Sequence, residues 1–390
     1  MIKTMAFSVI IQILIVLSVS IIMGEVFEQL KFPSIVGYLV AGLLIGPFSV
    51  NLIQNSSEMQ TISALSLFFI IFLLGIEMKT ESVVKHLKPG LKMMITSFIM
   101  PLILAVLLSM VLFGFGSKMD FILSLSISVP SISIISVLVM RYKLEKDPKG
   151  ITVVSSVIIT DILAFLLLGI TYKSTLNAVL VIVYFIAFIV IFLGIDKILN
   201  SGKRNLRIHM ERSIKILKSE HFSYAMIIVI GFLTGAISQI IGINYIIGIF
   251  FAGLIIHEGL IGRKLFGKIR RTLKRMNDGF FIPLFFGIAG IDVSSFYSLQ
   301  RFLLPTVIIA LSVIAFSMAV NYYFSGKVMK IKKKRWRVKM SAIINGRGAV
   351  GIAIATVALS TGVMTNEAYS IAILATILIS ITATAFLRNV

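Results

Sequence analysis

Long apolar runs, each close to twenty residues in length, alternate along this chain with short polar segments. A helix needs roughly 20 residues to cross about 30 Å of hydrocarbon. The runs therefore predict thirteen transmembrane helices, which we number as spans 1 to 13. They lie at residues 5–23, 33–50, 60–78, 91–113, 119–140, 150–171, 176–194, 222–241, 243–258, 276–291, 302–325, 339–360 and 367–387. The first run continues into more membrane sequence without a small-residue cleavage site, so we interpret it as a retained span rather than a signal peptide.

The composition agrees with this pattern. Hydrophobic residues make up 58% of the 390 residues and charged residues only 14%, against about 45–50% and about 25% in soluble domains. The core of a soluble protein could not hide so much apolar sequence, because surface-to-volume scaling limits the share of a chain that is buried. The sequence therefore predicts an all-α polytopic protein of the cell membrane.

The net charge of +21 tests the number of spans, because lysine and arginine concentrate in the cytoplasmic loops of membrane proteins. With the N-terminus outside and thirteen crossings, 32 of the 37 Lys and Arg residues fall on the inner side and four on the outer side, while Arg347 lies within a span. A miscounted span would invert every later loop. The charges therefore favour thirteen spans with a cytoplasmic C-terminus, and they favour membrane lipid rather than nucleic acid as the partner of the basic loops.

Two stretches in the first half of the chain recur in the second half. Residues 35–45 and 246–256 share six of eleven positions at an offset of 211, and residues 75–77 match residues 290–292 at an offset of 215. Spans 1–6 and 8–13 then form two six-helix repeats, and span 7 is a linker helix that inserts the second repeat upside down. Inverted repeats are typical of secondary transporters, although channels and membrane enzymes can also contain repeats.

Asp161 is the clearest polar residue at membrane depth, because it lies near the middle of span 6. An ionisable residue there costs about 2.5–3.5 kcal/mol on insertion scales, so we expect it to face a cavity or a partner. Thr160 precedes it directly, and Ser156 lies a little more than one helical turn away. An aspartate that only holds helices together is the alternative, but the midplane position favours ion or proton binding.

Spans 5 and 12 each contain a sequence that interrupts a helix. Pro130 in span 5 lacks an amide hydrogen and frees carbonyl groups in the preceding turn, next to Ser131. Residues 345–351 of span 12 contain three glycines, and Asn345 follows Pro130 by 215 positions, which is the offset of the repeat. The sequence thus predicts two broken helices that cross in the core, where transporters coordinate small cations. A simple proline kink is the alternative.

Arg347 lies several residues inside span 12 and needs a partner there. Glu77, near the cytoplasmic end of span 3, is the best acidic candidate, so we predict a structural ion pair between these two residues. Three further carboxylates, Asp292, Glu25 and Glu28, lie at the ends of spans, where we expect them to be solvated at the membrane interface.

Four stretches resemble the monovalent cation/proton antiporter-2 family, which includes bacterial Na+/H+ antiporters and K+ efflux systems. They are residues 37–47 of span 2, residues 67–77 of span 3, Thr160-Asp161 in span 6 and residues 346–351 of span 12. The sequence departs from the family at Thr160, where Asp or Asn is usual, and at Ala349, where glutamate is usual. Span 11 also lacks the lysine of electrogenic members. The resemblance therefore implies exchange at a single carboxylate, and it also implies a homodimer.

The resemblance further implies a core bundle that moves against a scaffold. The expected boundaries are scaffold and dimer spans at 1–90 and 222–300, core spans at 91–171 and 301–390, and a linker span with a cytoplasmic loop at 172–221.

The predicted function is exchange of Na+ (or Li+) for H+ by competition at Asp161, with electroneutral turnover. The expected oxygen ligands come from Ser156, Thr160 and the broken span 5 near Pro130 and Ser131, because hard cations favour oxygen. The alternatives are a K+/H+ antiporter, a Na+-coupled symporter for an organic anion, and a channel. An enzyme or a cofactor is not expected, because the chain has no cysteine, its four histidines show no metal-ligand spacing, and no nucleophile–base pair lies at membrane depth.

Overall fold

The computed structural model describes residues 8–77, 87–131, 147–171, 220–241, 245–256 and 258–388, together with residues 135, 139, 142, 144, 183, 186 and 187. Regular structure in these residues is helical, apart from one isolated bridge. The helices are α1 Val9–Gln29, α2 Ser34–Ile45, α3 Ser57–Glu77, α4 Leu87–Met94, α5 Met100–Leu112, α6 Ser117–Ser128, α7 Pro148–Thr171, α8 Glu220–Ile241, α9 Tyr245–Ile255, α10 Glu258–Ile261, α11 Arg263–Met276, α12 Ile282–Ile291, α13 Phe296–Val328, α14 Lys334–Ile344, α15 Ala349–Ser360 and α16 Asn366–Arg388. Two π-helical turns, Ile95–Ile99 and Asn277–Phe281, join α4 to α5 and α11 to α12.

Seven helices in these ranges are long and apolar enough to cross a membrane. They are Val9–Gln29, Ser57–Glu77, Lys88–Leu112, Pro148–Thr171, Phe222–Ile240, Phe296–Val328 and Asn366–Leu387, and the shorter α2, α9 and α15 are apolar as well. Large apolar side chains stay exposed on several of them; Ile10, Val111 and Ile240 are each at least 79% exposed, as expected of residues that face lipid. The predicted all-α membrane fold is confirmed. Of span 7, the structure describes only residues 183, 186 and 187.

The chain separates into two compact units. The first contains residues 1–63, 79–164 and 283–390, and the second contains residues 64–78 and 165–282. All five predicted ion-site residues and Arg347 belong to the first unit, whereas Glu77 belongs to the second.

The sequence repeat appears in the structure as one helix contact that occurs twice, once in each unit. In the first unit Gly42 of α2 meets Gly290 of α12, and a Cβ atom on Gly42 would lie 2.7 Å from the Gly290 Cα. In the second unit Gly253 of α9 meets Gly75 of α3, and a Cβ atom on Gly253 would lie 2.9 Å from the Gly75 Cα. Gly42 is equivalent to Gly253 in the repeat, and Gly75 to Gly290. Glycine lets two helix backbones approach this closely because it has no side chain.

Both predicted helix breaks are present, and they cross. Span 5 stops being helical after Ser128, and the two halves of span 12 are α14 and α15. Pro130 and Arg347 form an isolated antiparallel bridge, in which the Ser131 amide donates a hydrogen bond of 2.7 Å to the Gly346 carbonyl. The two unwound stretches therefore satisfy each other's backbone groups, which water cannot do at this depth.

Candidate functional site

The N-terminus of α15 is capped by the other broken helix. The first amides of a helix have no partner within the helix itself. The Ala349 amide donates to the Ser131 hydroxyl at 3.3 Å, and the Ser380 hydroxyl of α16 donates to the Arg347 carbonyl at 2.7 Å. Ser131 is fully buried at this position. The predicted site residues Pro130 and Ser131 thus lie at the crossing itself, next to the start of a helix.

Arg347 is 1% exposed and holds the crossing together through neutral oxygen atoms. Its guanidinium donates to the Ser128 carbonyl at the end of α6, to the Ser97 carbonyl at 3.3 Å and to the Asn345 side chain at 3.3 Å, with a longer contact of 3.5 Å to the Ser317 hydroxyl of α13. Ser97 lies in the first π-helical turn, and π-helical turns are frequent at functional sites. One buried side chain therefore connects spans 4, 5, 11 and 12.

The ion pair predicted between Glu77 and Arg347 stays a prediction, because the two residues belong to different compact units. Within the second unit, the Glu77 carboxylate lies 3.4 Å from the Arg270 guanidinium and 3.9 Å from the Lys274 ammonium. Arg270 and Lys274 are four residues apart on α11, so one helical turn brings both to the same carboxylate. Residues 259–275 lie between predicted spans 9 and 10, where a loop is expected, but most of them form the helix α11.

Asn321 and Ser317 form a buried polar pair on α13, and neither was among the predicted site residues. The Asn321 side chain donates to the Ser317 carbonyl at 2.8 Å and accepts from the Thr96 hydroxyl at 3.1 Å. Asn321 and Ser317 are both fully buried. Two polar residues one turn apart in an otherwise apolar span would have been a usable signal. The pair extends the Arg347 network along α13.

Asp161 lies on α7 and is fully buried. Neither of its carboxyl oxygen atoms has a hydrogen-bond partner among the described residues. An ionised carboxylate left in that condition is very unfavourable, because nothing replaces the water it has lost. A proton or a cation on the carboxylate removes this cost. The sequence predicts the exchange site at Asp161. Among the described residues, no group forms a hydrogen bond with its carboxyl oxygen atoms, so both remain able to bind a proton or a cation.

The two hydroxyl groups near Asp161 are bonded to their own helix. Thr160 donates to the Ser156 carbonyl at 2.8 Å, and Ser156 donates to the Val153 carbonyl at 2.7 Å. Both side chains are fully buried. A hydroxyl group that donates its hydrogen keeps two lone pairs on oxygen, so each remains available to a cation. Within the described residues no hydrogen bond joins Asp161 to the crossing at Pro130 and Ser131.

The three carboxylates that were expected to be solvated differ in their surroundings. Glu25 and Glu28 are exposed, as predicted. The expectation for Asp292 is wrong, because this residue is only 8% exposed. The Gln60 amide donates to Asp292 Oδ2 at 3.4 Å, while Asp292 Oδ1 is buried and has no hydrogen-bond partner among the described residues. The burial comes from packing between segments far apart in sequence.

The chain is similar to known cation/proton antiporters over most of its length. A family model described as "Sodium/hydrogen exchanger, transmembrane" matches residues 13–389. The probable Na+/H+ antiporter 3 of Methanocaldococcus jannaschii is 24% identical over 281 residues, which cover 72% of this chain and 70% of that protein. The Na+/H+-K+ antiporter GerN of Bacillus cereus is 24% identical over 387 residues, which cover 96% of this chain and 94% of that protein.

A solved structure supports the fold independently of these sequence matches. The sodium proton antiporter MjNhaP1 from M. jannaschii, determined at pH 8, superposes with a TM-score of 0.71. The superposition covers 96% of this chain and 95% of that chain at 17% sequence identity. At this identity the match concerns the arrangement of helices.

Proposed function

The chain belongs to the transmembrane sodium/hydrogen exchanger family, and we propose that it exchanges Na+ (or Li+) for H+ across the cell membrane by competition at Asp161. The observation that carries this proposal is the fully buried Asp161 carboxyl group, whose two oxygen atoms lack hydrogen-bond partners among the described residues. Either ligand relieves the cost of the buried charge, and each excludes the other.

The cation ligands in this proposal are oxygen atoms near Asp161. Thr160 and Ser156 supply hydroxyl lone pairs from the same helix. Ser131 and the carbonyl groups freed near Pro130 supply further oxygen atoms once the core closes around the ion. Oxygen is the ligand that hard cations prefer. The Arg347 guanidinium donates to protein oxygen atoms throughout the crossing and positions the broken helices.

The coupling of cation flow to proton flow follows from the free-energy cost of leaving Asp161 without a proton or a cation. A bare Asp161 carboxylate would be desolvated while the site changes sides, so the empty carrier crosses rarely. With one carboxylate at the exchange site, one proton exchanges for one monovalent cation and the cycle moves no net charge. We further propose that the core spans carry the site past the scaffold spans, in a homodimer whose N-termini face outside.

K+ is the second candidate cation, because one relative is named a Na+/H+-K+ antiporter and oxygen ligands accept both ions. Na+-coupled symport of an organic anion has less support. It would need a free cationic anchor at membrane depth, and the Arg347 guanidinium is already bonded to protein oxygen atoms.

Proteoliposomes that contain the purified full chain and a trapped pH dye test the proposal. Imposed Na+ or Li+ gradients are expected to move protons, and Asp161→Asn is expected to abolish this movement. Glu25→Gln, a substitution at an exposed carboxylate, is the matched control and should exchange normally. If Na+, Li+ and K+ gradients all fail to move protons in the wild type, the exchange proposal is wrong. If Asp161→Asn exchanges at the full rate, the site assignment is wrong.

A further inference from the structure

Each of the two inverted repeats has a carboxylate at the end of one helix, and these two helices are equivalent in the repeat. Glu77 ends α3, and Asp292 directly follows α12. The two residues occupy equivalent positions in the sequence repeat, because residues 75–77 match residues 290–292. Because the second repeat is inverted, the predicted topology puts Glu77 at the cytoplasmic surface and Asp292 at the outer surface. The surroundings of these two carboxylates can therefore be compared directly.

The Glu77 and Asp292 carboxylates have different neighbours. Glu77 has two cationic neighbours, Arg270 at 3.4 Å and Lys274 at 3.9 Å, and its side chain is 30% exposed. Asp292 is 8% exposed, and within the described residues its carboxylate accepts one hydrogen bond, from the neutral Gln60 amide at 3.4 Å. Asp292 Oδ1 is buried with no partner among the described residues. The Glu77 carboxylate has two cations beside it, whereas an ionised Asp292 lacks the bonds that its charge requires.

Asp292 also lies where α12 packs against α16. The predicted boundaries place α12 in the scaffold and α16 in the core. The Tyr369 hydroxyl of α16 donates to the Ala289 carbonyl of α12 at 3.0 Å. Two residues after Asp292, the Ser294 amide donates to the Ser370 hydroxyl of α16 at 2.8 Å. These bonds hold α16, a predicted core helix, against the end of α12, a predicted scaffold helix. Movement of the core would break them and would expose Asp292 to water.

In the part of the chain that the structure describes, the groups that face Asp292 provide no cation. The helix α3 contributes the neutral Gln60 amide, and α16 contributes the Tyr369 hydroxyl, which interacts electrostatically with Asp292. The end of α2 contributes backbone at Gly46, close to Ile291. Asp292 lies past the end of the spanning helix, and burial raises the pKa of its carboxyl group from 3.8 to about 7, against the opposing effect of the Gln60 hydrogen bond.

We propose that Asp292 is a second proton-binding site, distinct from Asp161, and that its proton stabilises the packed contact between α12 and α16. A protonated carboxyl group is cheap to bury, whereas the ionised group is stabilised when the contact opens and water reaches it. Below about pH 4 both states carry the proton, so the contact has its full stability. As the pH on that side rises from about 4 to about 7, the open state loses its proton first and the packed contact weakens. Above that range the effect is constant.

A direct test measures the proton without measuring transport. Infrared difference spectra of the full chain in lipid, recorded between acidic and neutral pH, report the carbonyl band of each carboxyl group that titrates. The wild type is expected to show a component near pH 7 that disappears in Asp292→Asn and persists in Asp161→Asn and Glu25→Gln. A spectrum of Asp292→Asn that keeps every wild-type component would overturn the proposal.

A second test asks whether this proton regulates exchange, and it rests on the proposed function. In oriented proteoliposomes the pH is varied on one side at a time. Asp292→Asn, which resembles the protonated residue, is expected to lose the dependence on pH at the side where α12 ends and to keep the dependence at the opposite side. Gln60→Leu removes the amide donor to the ionised form, so its midpoint should move to higher pH. A purely structural role would lower the rate at every pH without moving the midpoint, and that result would refute regulation by Asp292.

The two tests separate the two proposals. If no variant exchanges ions but the infrared component is lost in Asp292→Asn, the exchange proposal fails and the proton site stands. If the wild type exchanges Na+ for H+ and the infrared component survives in Asp292→Asn, the exchange proposal stands and the second proton site is wrong.

Discussion

Replacement of Gly42 by alanine tests the repeated helix contact, because the packing geometry fixes what the added methyl group would meet. A Cβ atom at Gly42 would lie 2.7 Å from the Gly290 Cα, whereas ordinary contacts are 3.4–4 Å. The backbones of α2 and α12 must therefore separate, because no flexible side chain can move aside. Overpacking of this kind costs about 1–3 kcal/mol, so Gly42→Ala should unfold at a lower temperature.

The equivalent contact in the second repeat allows the same substitution to be tested at Gly253. A Cβ atom at Gly253 would lie 2.9 Å from the Gly75 Cα, so Gly253→Ala should destabilise the chain by a similar amount. Gly267 on α11 is the matched control, because a Cβ atom there would meet nothing within 4 Å. Since alanine is favoured over glycine in helices by about 1 kcal/mol, Gly267→Ala should be neutral or slightly stabilising.

Thermal unfolding in detergent is the assay for these three variants. The single tryptophan, Trp336, gives a fluorescence signal, and the fraction that stays monodisperse on size exclusion after heating gives an independent one. The reasoning is refuted if Gly42→Ala is as stable as Gly267→Ala. A large difference between Gly42→Ala and Gly253→Ala would show that the two contacts are not equivalent.

Three further predictions concern the polar contacts. Arg347→Lys should yield much less folded protein by fluorescence size exclusion, because a lysine cannot reach the same set of acceptors. Each buried oxygen left unsatisfied costs about 1–3 kcal/mol. Normal folding of this variant would contradict the proposed role of the Arg347 network. Glu77→Gln should change the melting temperature little, since partly exposed ion pairs contribute about 0–1 kcal/mol; loss of folding would mean that the pair is worth more. Asn321→Leu removes the hydrogen bond from the side-chain amide to the Ser317 carbonyl and the second acceptor of the Thr96 hydroxyl, which keeps its bond to the Met93 carbonyl. It should lower stability by about 0.5–1.5 kcal/mol, and an unchanged unfolding temperature would contradict this contribution.

Features that depend on local sequence were predictable. The length of each apolar run locates the spans, because a helix has a fixed rise per residue and the hydrocarbon layer has a fixed thickness. Pro130 and the glycines near Arg347 indicate the two breaks, since both residue types disfavour a continuous helix. Asp161 was predictable because a carboxylate in the middle of an apolar run is rare and expensive. Neither Asp161 carboxyl oxygen atom has a hydrogen-bond partner within the described ranges, which agrees with that reasoning.

Features that depend on packing between distant segments were not predictable. Gln60 and Asp292 are 232 positions apart, and nothing local indicates that they meet or that Asp292 is buried. The partners of Glu77 were missed for a different reason. The basic residues of α11 led to its assignment as a loop, although the buried Phe266, Ile269 and Leu273 have helical spacing. That periodic signal was present and was outweighed by the charge.

The most direct test of the central claim is the number of protons released when Na+ binds. Purified full chain in weakly buffered detergent solution, at a pH where Asp161 carries its proton, is mixed with NaCl, and choline chloride is the ionic-strength control. Competition at one carboxylate predicts release of one proton per chain in the wild type and in Glu25→Gln, and none in Asp161→Asn. Undiminished proton release from Asp161→Asn, or Na+ binding by the wild type with no proton release, would contradict the account.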